Sequence, residues 1–444
     1  MARPPSSLPQ DLEALLRSRG PLSGQEIASA LEISQPTLSR HLRGISAVAR
    51  IDTGRPPLYA LTREFRGLGS TIPLFKIDNT GKSISIGSLT PIHPRGFIFH
   101  GAGRQAVHAG VPYFLSDNRP QGFLGKSFVT RNRDLNLPPR IQDWGDDDIM
   151  EAVCRRGDDC TGNVLAGRES FERFQRTRLE PQKHPRHEDL HGLYIQAANQ
   201  SLWQGHPGSS VAGEQPKFSC SYKAGGHVTH VLVKFSPRLD SPVNQRWGDL
   251  LISEHIALTV LGENGIASGK SRILKEDDRI FLEIERFDRV GEQGRIGLIS
   301  LEALDDELWG RRDSWFAASF RMQRSRLIHE NDARRIRLAS AFGDLMGNTD
   351  QHFGNLSLYF DPPGKVLGLA PAYDILPMLY APVNNELVRR DFRVASPNAD
   401  DVAAWENALP LAREFWRRLS ENAMVSESFR IIAAENCRLL RETG

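Results

Sequence analysis

The sequence predicts an α+β protein, a two-lobed body preceded by a winged helix-turn-helix domain. Three observations carry this. Apolar residues between positions 12 and 42 recur at helical spacing and break at two turn signals. From about residue 72, apolar and polar residues alternate between Gly, Asn and Pro turns, the pattern of antiparallel strands. Much later, Asp350, Asn355 and Asp374 are spaced around a strand-turn-strand pattern in a way that suits a metal-assisted site.

Composition sets the frame. The chain has 444 residues, enough for two to four domains. Charged residues make up 25% and hydrophobic ones 39%, ordinary values for a globular protein. A net charge of +2 excludes a whole-chain bias toward nucleic acid or membrane, so any such partner is met locally. Cys154, Cys160, Cys220 and Cys437 form no CxxC pair and read as reduced thiols. The start, MARPPSSLPQDLEALL, lacks the apolar core of a signal peptide. No apolar run approaches the ~20 residues of a membrane span. The expectation is a cytoplasmic protein with no membrane partner.

Residues 1–66 contain the first domain. Leu12, Leu15 and Leu16, then Ile27, Ala28 and Leu31, then Leu38 and Leu42 suit three short amphipathic helices, broken at GPLSG and ISQPT. Ser34 is placed to cap the third helix, with Pro36 in its first turn. Gln35, Thr37, Ser39, Arg40 and Arg43 lie on the outer face expected for that helix and are side-chain types that reach base edges and phosphates. VARIDTGRPPLYAL follows as two short strands around a wing with Arg55 at its tip. The segment carries nine Arg against six Asp or Glu, a mild excess. The pattern resembles the winged helix-turn-helix domains of bacterial regulators, so residues 1–66 are expected to bind DNA.

Residues 72–180 read as a β-rich subdomain. Its GAGRQA fits the dinucleotide fingerprint by letters but lacks the strand-turn-helix context that gives the motif meaning. His187–His191, HEDLH, matches the zinc-protease helix motif, yet its flank is very polar and no third ligand stands at a family spacing. GENGIASGKS approaches a Walker loop but has Asn264 at the required glycine.

Residues 181–290 read as an N-lobe. GSSVAGEQPKFSC, 208–220, is a small-residue turn whose amides can converge on phosphate oxygens, followed by Lys217. A strand then ends in Lys234, whose charge needs a partner if buried, and Glu254 in a helical stretch is the candidate. Phosphate loop, strand lysine and helix glutamate follow in the order of a protein-kinase N-lobe.

Residues 291–444 read as a helical C-lobe. In DLMGNTDQHFGNLSLYF, Asp350 precedes Asn355 by the separation found in kinase catalytic loops, where the acid accepts a hydroxyl proton and the amide oxygen holds Mg2+. A Pro-Gly hairpin then leads to Asp374, a second metal ligand.

These pieces together resemble the HipA family of bacterial toxin-type serine/threonine kinases. The matching segments are YFLSDNRPQGFLGKSF, SSVAGEQPKF, HVLVKF, SEHIALTVLGENGI, IERFDR, GNTDQHFGN and APAYDILP, spread over about residues 75–440. The fused helix-turn-helix is most similar to the YjjJ branch, whereas in HipBA systems a separate antitoxin supplies DNA binding. The resemblance implies a protein-kinase-like, HipA-like fold using ATP and Mg2+ to phosphorylate a protein Ser or Thr, and it allows for an antitoxin partner. It implies that Asp350 is the base and that Asn355 and Asp374 hold Mg2+. Ala212, Gly213, Glu214, Gln215 and Lys217 would cover the phosphates, and Lys234, paired with Glu254, would contact them. Glu285, Arg286 and Phe287 would form the adenine hinge, and His352 and Tyr373 would line the pocket. Ser210, or its neighbour Ser209, would be an autophosphorylated residue. One departure is Pro216, which removes an amide donor from the loop. Two rival readings stand beside this one: a transcriptional regulator with an inactive kinase-like sensing domain, and a zinc hydrolase using HEDLH.

Overall fold

Short helices need caps, and the second and third helices of the chain have them. In this computed structural model, which describes residues 8–54, 56–180, 184–204, 215–394, 396–397 and 401–443, three helices open the chain. They are α1 (Leu8–Arg19), α2 (Gly24–Leu31) and α3 (Gln35–Leu42), with a two-residue strand β1 (Leu22–Ser23) after the first. Ser23 and Glu26 form a reciprocal capping box on α2, and Ser34 accepts from the Thr37 amide at the start of α3. The wing strands are β2 (Val48–Ile51) and β3 (Leu58–Leu61), and β1 pairs with β3, which periodicity did not foretell. Leu12, Leu16, Ile27, Leu31, Leu38 and Leu61 fill the core between them.

The chain divides into two compact units, residues 1–78, 82–119 and 135–181 in one and 79–81, 120–134 and 182–444 in the other. In the first, β4 (Ile72–Ile77), β5 (Ser83–Pro91), β6 (Phe97–Gly101), β7 (Arg104–His108) and, further on, β8 (Val164–Ala166) form an antiparallel sheet in the order β7-β6-β5-β4-β8. Helices α4 (Tyr113–Ser116), α6 (Asp146–Arg156) and α7 (Arg168–Leu179) complete it, while α5 (Gly122–Arg131) belongs to the second unit. The winged domain shares a core with this sheet: Ile51 and Ala60 from the wing pack with Ile92 and Ile98, all four fully buried. Arg63 clamps Asp147 with two hydrogen bonds of 2.7 and 2.8 Å and donates to the Ile92 carbonyl. GAGRQA is thus the tight turn of the β6–β7 hairpin, not a nucleotide loop.

In the second unit, α8 (Leu190–Gln204) and α9 (Pro242–Glu263) accompany β9 (Lys217–Ala224), β10 (His227–Phe235), β11 (Ser271–Glu276) and β12 (Arg279–Glu285). The sheet order is β11-β12-β10-β9, all antiparallel. Strand alternation sends Val231, Val233 and Phe235 toward Leu190 and Tyr194, leaving Lys234 on the opposite face. Two short strands, β13 (Arg289–Val290) and β14 (Gly294–Arg295), lead to the C-lobe. There β15 (Leu298–Ser300), β16 (Ser357–Asp361) and β17 (Lys365–Leu369) form a small sheet among α10 (Leu301–Leu308), α11 (Trp315–Arg324), α12 (Glu330–Met346), α13 (Val402–Glu421) and α14 (Glu427–Glu442). Phe342, Phe415, Trp416 and Phe429 centre this core, and the Trp416 indole donates to the Leu345 carbonyl at 3.2 Å. Among the described residues no helix is long and apolar enough to cross a membrane.

Candidate active site

The site is assembled from β10, α9, the turn after α12 and the segment after β17. Lys234 is buried, and its ammonium donates to both oxygens of fully buried Glu254, at 2.7 and 2.6 Å. The same ammonium contacts Asp374. Asp374 has a left-handed backbone, φ +53°, and its amide donates to Glu254 at 3.1 Å. Burial alone would lower the Lys234 pKa, but the Asp374 and Glu254 carboxylates overcome it and raise the net value. Burial would raise Asp374, but Lys234 and then Lys217 outweigh it and hold that acid at about 2. Lys217 reaches this place because it lies directly opposite Lys234 on β9, hence on the same sheet face.

The other half of the site follows α12. Gly347 ends that helix with φ +76°, a conformation glycine takes without strain. Asn348 then accepts the Asp350 amide at 3.0 Å, and Asn355 donates its side-chain Nδ2 to the Asp350 carbonyl at 3.0 Å. His352 caps the next turn, its Nδ1 accepting from the Gly354 amide at 3.1 Å, so its other nitrogen carries the proton and lies 3.9 Å from the Asp350 carboxylate. Burial raises the Asp350 pKa; His352 opposes and Asp374 reinforces the shift.

Tyr373 joins the halves. Its hydroxyl donates to the Gly354 carbonyl at 2.9 Å and contacts Ser357 at 2.6 Å, while its ring lies 5.9 Å from Phe287. Behind Asp374, Ala372 exchanges two backbone hydrogen bonds, with Ala267 and Gly269, so the segment is pinned to the loop after α9.

The structure thus brings together Lys217, Lys234, Glu254, Asp350, His352, Asn355, Tyr373, Asp374 and Phe287. Gln215 is half-buried two residues before β9. Ala212, Gly213, Glu214, Ser209, Ser210 and Arg55 lie outside the described residues. Of the expected hinge residues, the Glu285 amide donates to the Lys270 carbonyl at 2.8 Å and the Arg286 amide to the His230 carbonyl at 2.8 Å, so these two amides are engaged within the sheet. On α3, Gln35, Ser39, Arg40 and Arg43 are exposed, but Thr37 is half-buried and its hydroxyl is bound to Ser34 at 2.9 Å. HEDLH makes no metal site: His187 starts a 3-10 turn and binds Arg272, while His191 binds Glu276 at 2.6 Å. No cluster of three or more metal-ligand residues of the His, Cys, Asp and Glu types occurs among the described residues.

Two features escaped sequence reasoning. Trp315 donates its indole N–H to the His352 carbonyl at 3.0 Å and so fixes the Asp350–Asn355 turn from α11. Glu283, nearly buried on β12, accepts from Tyr194, Tyr222 and Arg272 at 2.7 to 2.8 Å. Strand alternation around Phe281 would have placed Glu283 inward, the only available signal.

A kinase-like pair of lobes with a buried Lys–Glu–Asp cluster facing an Asp–Asn turn defines the class of fold. The C-terminal domain model of HipA-like proteins matches residues 209–435, the middle-domain model of YjjJ-like toxins matches 68–175, and the arsR-type bacterial regulatory model matches 12–45. The chain is 36% identical over 430 residues to Toxin YjjJ of Escherichia coli (strain K12), covering 96% of each. It belongs to the YjjJ-like branch of the HipA toxin family. Among solved structures, HipA of Shewanella oneidensis MR-1, determined with HipB and its operator DNA, shares the fold with a TM-score of 0.53 at 16% identity, over 82% of this chain and 95% of that one.

Proposed function

We propose that this protein is an ATP- and Mg2+-dependent serine/threonine protein kinase of the cytoplasm that also autophosphorylates, at Ser210 or Ser209, and binds DNA through residues 1–66. The observation that carries the kinase reading is the junction of Lys234, Glu254 and Asp374 opposite Asp350 and Asn355. One ammonium between two carboxylates leaves the cluster one charge negative, a setting that suits a divalent cation. Because Asn355 uses its Nδ2 on the Asp350 carbonyl, its Oδ1 is left as the acceptor for that ion.

Asp374 and Asn355 would hold Mg2+, which neutralises charge on the triphosphate. Lys234 and Lys217 would bind phosphate oxygens from one sheet face. Asp350, half-exposed and raised in pKa, would orient the substrate hydroxyl and take its proton. His352 holds the turn that carries both Asp350 and Asn355. Catalysis then rests on positioning and charge. The HipA neighbour was solved with a separate HipB and operator DNA. Here exposed Gln35, Ser39, Arg40 and Arg43 on a capped α3 support a built-in DNA-reading module.

Asp350→Gln tests the assignment. Transfer of labelled phosphate from ATP to the protein itself, or to a lysate substrate, should fall by roughly 10² to 10⁴ with unchanged circular dichroism. Wild-type transfer by that variant would remove Asp350 from its role. Absence of ATP turnover in the wild-type protein would favour the regulator with an inactive body.

A further inference from the structure

The hairpin that carries GAGRQA is built against the wing. The Asp52 amide, where β2 ends, donates to the Gln105 side chain at 2.7 Å. Gln105 is itself oriented by His100 at 3.2 Å, and His100 by Thr90 at 3.1 Å. Beneath this contact, Ile51 is fully buried with Ile92 and Ile98. The turn between β6 and β7 consists of Ala102 and Gly103, with φ +49° and +69°, the tight type that projects a hairpin tip. Ala102, Gly103 and Arg104 at that tip are all exposed.

Charge bears on this tip. Residues 79–116 contain no Asp or Glu, and Arg104 is their basic residue at the β6–β7 tip, whereas Arg95 lies in the β5–β6 turn at the other end of β6. Residues 33–51 likewise contain no acid and carry Arg40, Arg43 and Arg50. The two stretches come together beside the Asp52–Gln105 contact; the one carboxylate there, that of Asp52, is taken up by Arg50 at 3.0 Å. Arg104 has no ion-pair partner among the described residues.

We propose that the β6–β7 hairpin is a second wing: when α3 engages duplex DNA, Arg104 contacts the phosphate backbone beside it. This rests on the DNA-binding reading of residues 1–66 and extends the interface into the β-rich sheet. Such a contact carries charge and register rather than sequence information.

The test uses the full-length chain and two duplexes of about 30 base pairs, one from upstream of its own gene and one of arbitrary sequence. Arg104→Ala should weaken binding to both by about three- to tenfold and reduce the salt slope of log affinity by about one, as for one lost phosphate contact. Arg104→Lys should restore most of the affinity, and phosphate transfer from ATP should be unchanged in both. Equal binding by wild type and Arg104→Ala, with Arg40→Ala weakened, would overturn the second wing alone. No duplex binding by the wild type at low salt would overturn the DNA-binding reading and this extension together.

Discussion

Lys234→Met removes the cation that contacts both Glu254 and Asp374. Glu254 is fully buried and cannot recover its charge by hydration, while Asp374 keeps roughly a quarter of its side chain exposed. Breaking one side of a buried pair costs about 3 to 5 kcal/mol, most of it the stranded charge. Removing both partners should cost less: Lys234→Met with Glu254→Leu should recover at least about 2 kcal/mol relative to the sum of the single losses. Urea unfolding of the four proteins at neutral pH measures this. The pH dependence has a fixed sign. In the wild type Asp374 sits at about 2, below its ordinary value, so its stabilisation is present at neutral pH and is lost as pH falls toward 2. In Lys234→Met a stranded carboxylate has a raised pKa, so its penalty grows as pH rises through that value and shrinks in acid. The two stability curves should converge on acidification. A loss below about 1 kcal/mol in Lys234→Met, or strict additivity in the double variant, would show that this cluster does not depend on charge compensation.

Other outcomes follow from the same contacts. Asp374→Asn should keep the fold, since Asn tolerates the left-handed backbone at φ +53°, yet phosphate transfer should drop by about 10²-fold or more at any Mg2+ concentration; a Mg2+ titration of transfer reads this. Tyr194→Phe should cost about 1 to 2 kcal/mol in urea unfolding, because Glu283 loses one of three donors while buried. Ile51→Ala should destabilise the first unit by about 2 to 4 kcal/mol in urea unfolding, since fully buried Ile51 packs with Ala60 against Ile92 and Ile98.

Much of the site could be read from order and spacing because its parts lie on elements with local signals. Ser34 and Pro36 mark the start of α3 by chemistry confined to one turn. Asp350 and Asn355 share one loop, and a Pro-Gly hairpin delivers Asp374. Lys234, directly after the apolar run Val231–Val233, demanded a buried partner, and Glu254 supplied it. What stayed hidden depends on pairing between distant residues. Nothing near Ile51 announces Ile92, because both read as ordinary strand residues and only the register of two sheets joins them. Thr37 was expected outside because helical periodicity ignores the hydroxyl that ties it back to Ser34. The occupied amides of Glu285 and Arg286 reflect carbonyls on Lys270 and His230, which no local motif encodes.

On the proposed kinase function, the contacts around Asp374 also limit what could move when phosphate binds. Lys234 contacts both Glu254 and Asp374, so phosphate oxygens would have to compete with a carboxylate already in place. The side chain of Asp374 is the partner that can yield, because it is the less buried of the two acids and a metal ion would replace the lysine's charge. Its backbone has no such freedom: the Asp374 amide is held by Glu254, and Ala372 is bonded on both sides to the loop after α9. Glu254 therefore holds the lysine with its carboxylate and the Asp374 backbone through the same carboxylate. Exchange of Lys234 from Asp374 to phosphate would then fall to side-chain rotation, with α9 and the Asp374 segment remaining joined.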